Sequence, residues 1–190
     1  MKKYALIIDH ISCWGCKTCE VACKQENNAP EGVKLIDVFE GDFSAVDDKT
    51  DVIFQSNVCI HCDEPACVDS CPEEAIAQRD DGIVVLDEIM CTGCRLCMDA
   101  CPYHAISFDT QKDVAKKCNL CHHRVDSGLI PACADNVCLA HCIYFGDPDD
   151  IQRQINEKRL RRNLDRIEGL GPKSWHPYHD ATERLTKSYR

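Results

Sequence analysis

The chain has 190 residues, a length that suits one domain or two small ones. Its 22 Lys and Arg against 32 Asp and Glu give a formal charge of −10, which argues against nucleic acid as a partner, because phosphates call for a basic face. The 44% hydrophobic content includes 17 cysteines; without them the apolar complement is thin for a packed core, so disulfides or metal must supply part of the cohesion.

In chain order, the start MKKYALIIDHISC carries an apolar run over residues 4–8 that is too short for a signal peptide and is interrupted by Asp9. No stretch approaches the roughly 18 apolar residues of a membrane span. The expectation is a cytoplasmic protein with no membrane span of its own, export beside a signal-bearing partner being the alternative. In a reducing compartment Cys-x-x-Cys repeats point to metal or redox sites rather than disulfides.

The first cysteine group is Cys13, Cys16, Cys19 and Cys23, spaced C-x2-C-x2-C-x3-C. A long insertion, residues 24–58, follows, with strands expected at 33–39 and 51–54. The second group is Cys59, Cys62, Cys67 and Cys71, spaced C-x2-C-x4-C-x3-C and closed by Pro72. A short apolar strand at 83–86, after the turn signal DDG, leads to the third group, Cys91, Cys94, Cys97 and Cys101, again C-x2-C-x2-C-x3-C and closed by Pro102. The fourth segment holds five cysteines: Cys118, Cys121, Cys133, Cys138 and Cys142. Beyond it, DPDDIQRQINEKRLRRNLDRIEG predicts a surface helix over 148–169. Pro148 sits at its first position, acids fill its first turn and Gly169 stops it. Ile151, Ile155, Leu160, Leu164 and Ile167 form its apolar stripe. The tail, 170–190, has Trp175 and Tyr178 but no period, and is expected to be an arm bound to a partner subunit.

The groups repeat. ALIIDHISC, ending at Cys13, matches IVVLDEIMC, ending at Cys91; CPEEAIAQ from Cys71 matches CPYHAISF from Cys101. The pattern is strand, cysteine loop with a helical turn, strand. A C-x2-C-x2-C loop wraps three thiolates around one iron–sulfur cube, and the fourth cysteine, often followed by Pro, ligates the neighbouring cube. Four-cysteine zinc sites, the dull alternative, come as two C-x2-C pairs across a spacer, which tandem C-x2-C steps do not match.

These motifs, with C-x2-C-D-E-P-A-C-x3-C-P at 59–72 and CNLC…PAC…FGD at 118–147, resemble the four-cluster ferredoxin-type subunits of molybdenum and tungsten bis-pterin oxidoreductases. Those include the dimethyl sulfoxide, polysulfide and formate-dependent nitrite reductase systems. The resemblance covers residue 3 to about residue 149. It implies an α+β fold of tandem ferredoxin-like cluster-binding units with short strands and helical turns, occupying 1–147, followed by the C-terminal helix and an extended tail. It also implies four [4Fe-4S] clusters, with motif one paired to motif four and motif two to motif three. Cys59, Cys62 and Cys67 would share a cluster with Cys101, Cys91, Cys94 and Cys97 one with Cys71, and Cys118, Cys121 and Cys133 one with Cys23. Cys13, Cys16 and Cys19 then need a last ligand from Cys138 or Cys142. Aligning CLAHCIYF with CPYHAISF puts Cys138 on Cys101 and Cys142 on Ala105, so Cys138 is expected as the ligand and Cys142 as a small buried hydrophobe. The cost is a C-x4-C step from Cys133.

The implied function is conduction of single electrons between a large molybdenum- or tungsten-pterin catalytic subunit and an upstream electron donor or acceptor protein. A tungsten aldehyde oxidoreductase or benzoyl-CoA reductase type of complex, a free-standing polyferredoxin and a zinc-bound structural protein are the rivals. No Ser/His/Asp set, paired acid or phosphate loop marks the chain as a catalyst. His61, His122 and His123 are expected to be loop residues rather than iron ligands, and His104 and His141 hold equivalent repeat positions. Lys17, Lys24, Arg95, Lys116, Lys117 and Arg124 flank the cysteines. They read as local charge balance, with a rise in cluster potential as the alternative.

Overall fold

Short apolar runs bracket each cysteine loop, and the strands they form pair only two by two. A computed structural model describes residues 4–46 and 49–167. The chain divides into two compact units at Pro148.

In the first unit, β1 (Ala5–Ile8) leads into the first cysteine group and pairs antiparallel with β8 (Ile143–Gly146), which leaves the fourth, in the register Ala5↔Gly146 to Ile8↔Ile143. This ladder joins the two ends of the cysteine-bearing region. β4 (Ile76–Gln78) leaves the second group and turns back through Gly82, at φ +87°, into β5 (Val84–Leu86), which enters the third. β6 (Ile106–Asp109) leaves the third and pairs with β7 (Val114–Lys117), which enters the fourth. The Asp109 carboxylate closes that turn by accepting the Gln111 and Lys112 N–H groups.

The insertion forms the longest ladder, β2 (Ile36–Val46) against β3 (Lys49–Val58). Both strands are longer than the 33–39 and 51–54 read from the sequence. The ladder continues through a register shift between Glu40 and Phe43, a bulge that lets pairing pass residues whose local pattern reads as a break.

Helices in this unit are brief: α1 (Thr18–Glu26), α2 (Ala66–Asp69), α3 (Leu96–Ala100) and α4 (His122–Val125). The core is two small clusters. One gathers Val33, Leu35, Ile36, Val38 and Ile143 around Cys19, Cys23, Cys133, Cys138 and Cys142; the other gathers Ile76, Val84 and Ile106 around Cys97. At about 1.5–3 kcal/mol for each fully buried aliphatic side chain, so few of them leave much of the cohesion to the cysteines.

α5 (Pro148–Ile167) begins on the proline and carries Asp149 and Asp150 in its first turn, where the helix dipole favours acids. Ile151 and Ile155 are buried and Leu160 is exposed. The side chains of Leu164 and Ile167, and the whole tail 170–190, lie outside the described residues. Among the described residues no helix is long and apolar enough to cross a membrane.

Candidate metal centres

The cysteines line four voids. The first is walled by Cys13, Cys16, Cys19, Cys138 and Cys142, with an empty volume of about 350 Å³. The second, about 290 Å³, is walled by Cys23, Cys118, Cys121 and Cys133. The third, about 370 Å³, has Cys59, Cys62, Cys67 and Cys101; the fourth, about 330 Å³, has Cys71, Cys91, Cys94 and Cys97. Every void takes cysteines from two motifs, so none can form from a local segment alone.

Backbone geometry explains why these spacings work. Two residues after the first cysteine of each group the chain is left-handed: Gly15 at φ +65°, His61 at +50°, Gly93 at +72° and Leu120 at +53°. That twist turns the amide of this residue back onto the cysteine. Gly15, His61 and Leu120 donate N–H to the Sγ of Cys13, Cys59 and Cys118 at 3.5, 3.4 and 3.4 Å, and Ala115 N–H reaches Cys91 Sγ at 3.4 Å. A second left-handed residue then starts each helix of the compact loops, Lys17 before α1 and Arg95 before α3. The helices serve two voids each. α1 sends Cys19 to the first void and Cys23 to the second. Around α3, Cys97 faces the fourth void and Cys101 the third.

The exits from the groups also repeat. Three residues after Cys71, Cys101 and Cys138 stand Glu74, His104 and His141, left-handed at φ +50°, +50° and +47°. Each donates its N–H to the carbonyl of that cysteine, at 3.2, 3.1 and 2.9 Å. Strands begin five residues on, at Ile76, Ile106 and Ile143. The residue before each strand is small and buried: Ala75, Ala105 and Cys142.

Burial sets the state of the thiols. Burial pushes the thiols of Cys19, Cys23 and Cys118 up to about 12 and that of Cys97 to about 11; Cys62, Cys67, Cys121 and Cys133 are raised for the same leading reason. Nearby cysteines add to the rise at Cys19, Cys23, Cys97 and Cys133. Left alone these groups stay protonated, and only a strongly positive centre in the void makes them thiolates. Among the described residues no three His, Cys, Asp or Glu side chains converge tightly enough to hold a single metal ion. A zinc site needs four ligands that meet at one point with Zn–S of about 2.3 Å. An all-cysteine donor set spread around each void fits a polynuclear thiolate-bound cluster. His61 adds an orphan: its Nδ1 accepts the Val84 N–H at 3.0 Å, while its buried Nε2 has no partner.

Cys138 is the exception among the thiols. The Cys142 thiol, and then the backbone N–H groups of Cys142, Ala140 and Ile143, hold Cys138 well below the usual thiol range; the same contact and burial push Cys142 up.

Other flanking groups have ordinary partners. Arg124 bridges Glu26 and Asp135 at 3.1 and 2.6 Å, His123 meets Glu26 at 2.7 Å, and Lys116 pairs with Glu88 at 2.5 Å. Lys24 donates to the Pro30 carbonyl, and Arg95 lies 3.8 Å over the Phe108 ring. Sequence reasoning missed Asn27, whose Nδ2 reaches Cys23 Sγ at 3.6 Å and Cys121 Sγ at 4.0 Å. Its signal was its place one helical turn after Cys23, which puts its amide beside that sulfur. Thr18 was missed too: its hydroxyl is 3.3 Å from Cys16 Sγ and donates to the Val137 carbonyl at 2.7 Å, tying the first group to the fourth.

Comparison with known proteins agrees with this geometry. A model described as a 4Fe-4S dicluster domain matches residues 50–148, and a second of the same description matches residues 12–76. The chain is 37% identical to the B subunit of tetrathionate reductase from Salmonella typhimurium, over 90% of this chain and 68% of that protein. It is 36% identical to the B subunit of anaerobic dimethyl sulfoxide reductase from Escherichia coli, over 80% of this chain and 77% of that protein. It is also 36% identical to the thiosulfate reductase electron transfer subunit of Salmonella typhi, over 88% of each. Paired cysteine groups that cross-supply buried voids, in a chain this similar to those reductase subunits over most of its length, mark it as a member of the 4Fe-4S dicluster family of iron–sulfur electron-transfer subunits.

Proposed function

We propose that the chain holds four [4Fe-4S] clusters, one in each void, and passes single electrons through them to or from a large molybdenum- or tungsten-pterin catalytic subunit. The observation that carries this reading is the sorting of the cysteines into four voids, each supplied by two motifs. In it, Cys13, Cys16, Cys19 and Cys138 hold the first cluster, and Cys23, Cys118, Cys121 and Cys133 the second. Cys59, Cys62, Cys67 and Cys101 hold the third, and Cys71, Cys91, Cys94 and Cys97 the fourth. The repeated exit geometry at Cys71, Cys101 and Cys138 supports Cys138 over Cys142.

The clusters supply one-electron chemistry when bound, at potentials set by charge, hydrogen bonds to sulfur and burial. The chain's own part is to fix the thiolates, through left-handed turns and N–H···S contacts that keep rearrangement small. Crossing cysteines place the first void beside the second and the third beside the fourth. The third and second meet where Cys59 and Cys118 are close enough to influence each other. The order fourth, third, second, first forms one path. Relatives named as subunits of reductases support a larger catalytic partner.

Metal analysis of the complex isolated anaerobically tests this. The expected result is about sixteen irons per chain, four per cube, almost no zinc, and molybdenum or tungsten in a co-eluting large subunit. Zinc in place of iron would overturn the reading. An iron-loaded chain that elutes alone would make it a free-standing polyferredoxin.

A further inference from the structure

We infer that Lys117 is a buried positioning charge that raises the potential of the cluster held by Cys59, Cys62, Cys67 and Cys101. Lys117 ends β7, all four of whose residues are buried, and its side chain lines the third void beside those cysteines. Its ammonium group donates to the carbonyls of Val84 and, at 2.8 Å, Cys118. Among the described residues no carboxylate lies within ion-pair distance of it. Its neighbour Lys116 is just as buried, 5% exposed, and differs by having Glu88 at 2.5 Å.

A buried ammonium ion without a counter-charge is costly, and two carbonyl dipoles satisfy only its hydrogen bonds. The missing negative charge has to come from the void itself, where four thiolates outweigh the charge of the iron–sulfide cube. His61, the other titratable group packed on Val84, has its Nδ1 occupied by the Val84 N–H, at 3.0 Å. Lys117 is therefore the cation that meets an electron added at this site. No bond forms or breaks and no proton moves; the donor loses one electron and the void gains one negative charge. Because Lys117 adjoins Cys118 of the second void, it stands at the junction between the two halves of the path.

This rests on the reading of the third void as a [4Fe-4S] site, and the test separates the two. Paramagnetic resonance of the anaerobic complex, poised with low-potential mediator dyes, gives the midpoint potential of each cluster in the native protein and in K117Q, K117R and K116Q. A native protein with no iron–sulfur signals would sink the functional reading itself. With signals present, K117Q should make reduction of one cluster at least tenfold less favourable, about 59 mV for one electron, at unchanged iron content. K117R should hold the native value and K116Q should move no cluster as far. The inference is overturned if K117Q leaves every potential in place, if K116Q shifts one equally, or if K117Q and K117R both lose the cluster, which would make Lys117 a structural strut.

Discussion

Cys138 Sγ and Cys142 Sγ lie 3.5 Å apart in the wall of one void, and the Cys142 backbone N–H donates to Cys138 Sγ at 3.3 Å. The two sulfurs are not equivalent. Cys138 collects donors, whereas Cys142 occupies the small buried position held by Ala75 and Ala105 in the other repeats. Cys142→Ala should therefore retain every cluster signal, at a stability cost of about 1 kcal/mol for the small cavity. Cys138→Ala should lose one cube or leave a three-iron centre. Paramagnetic resonance of both variants decides, and a three-iron signal from Cys142→Ala reverses the assignment.

Removal of iron should unfold the first unit. Its aliphatic core is two small groups, and the voids between them would be left lined by buried sulfur with nothing to bind. Circular dichroism during anaerobic chelation should show secondary structure falling with the visible absorbance. A cooperative melt surviving in the iron-free chain would mean that the aliphatic core suffices.

Gly93 cannot carry a side chain. At φ +72° a Cβ would be strained and would collide with the Asp113 carbonyl, a backbone atom that cannot swing aside. Gly93→Ala should destabilise the Cys91–Cys97 loop by more than the roughly 1–2 kcal/mol of a left-handed residue. Iron content should then fall by about one cube of four. Full iron loading with an unchanged melting temperature contradicts this.

Arg79 forms a two-point pair with Asp126, at 2.9 and 2.6 Å, across an exposed surface. The guanidinium hydrogen bond holds the Asp126 carboxyl below its usual range. A lowered folded-state value contributes stability above the unfolded value of about 3.9 and loses it as pH falls through the folded one. Arg79→Ala should thus lower the denaturation midpoint slightly, by the same small amount throughout the neutral range. His122 Nδ1, 3.9 Å from Asp126, is the other cation that could serve. A difference that varies with pH across the neutral range would mean that the guanidinium is not the group that carries the effect.

The cysteine spacings, the repeats and the short flanking strands were legible in the sequence because each is local. A C-x2-C step and a left-handed residue such as Gly15 or Gly93 shape a loop whatever surrounds it. The repeat alignment of Cys138 with Cys101 is legible for the same reason, since the His104 and His141 turns depend only on nearby backbone. The family could be recognised from the same motifs. What waited for the tertiary structure were relationships between distant segments. The bulged β2–β3 ladder is held by cross-strand pairing that no single strand announces. Asn27 reaches Cys121 only because α1 and the fourth cysteine group share a void. Six basic residues looked alike beside the cysteines, yet packing gives Lys116 a carboxylate and Lys117 only carbonyls and a ring of sulfur. Charge is written in the sequence; its burial and its counter-charge are set by which surfaces meet.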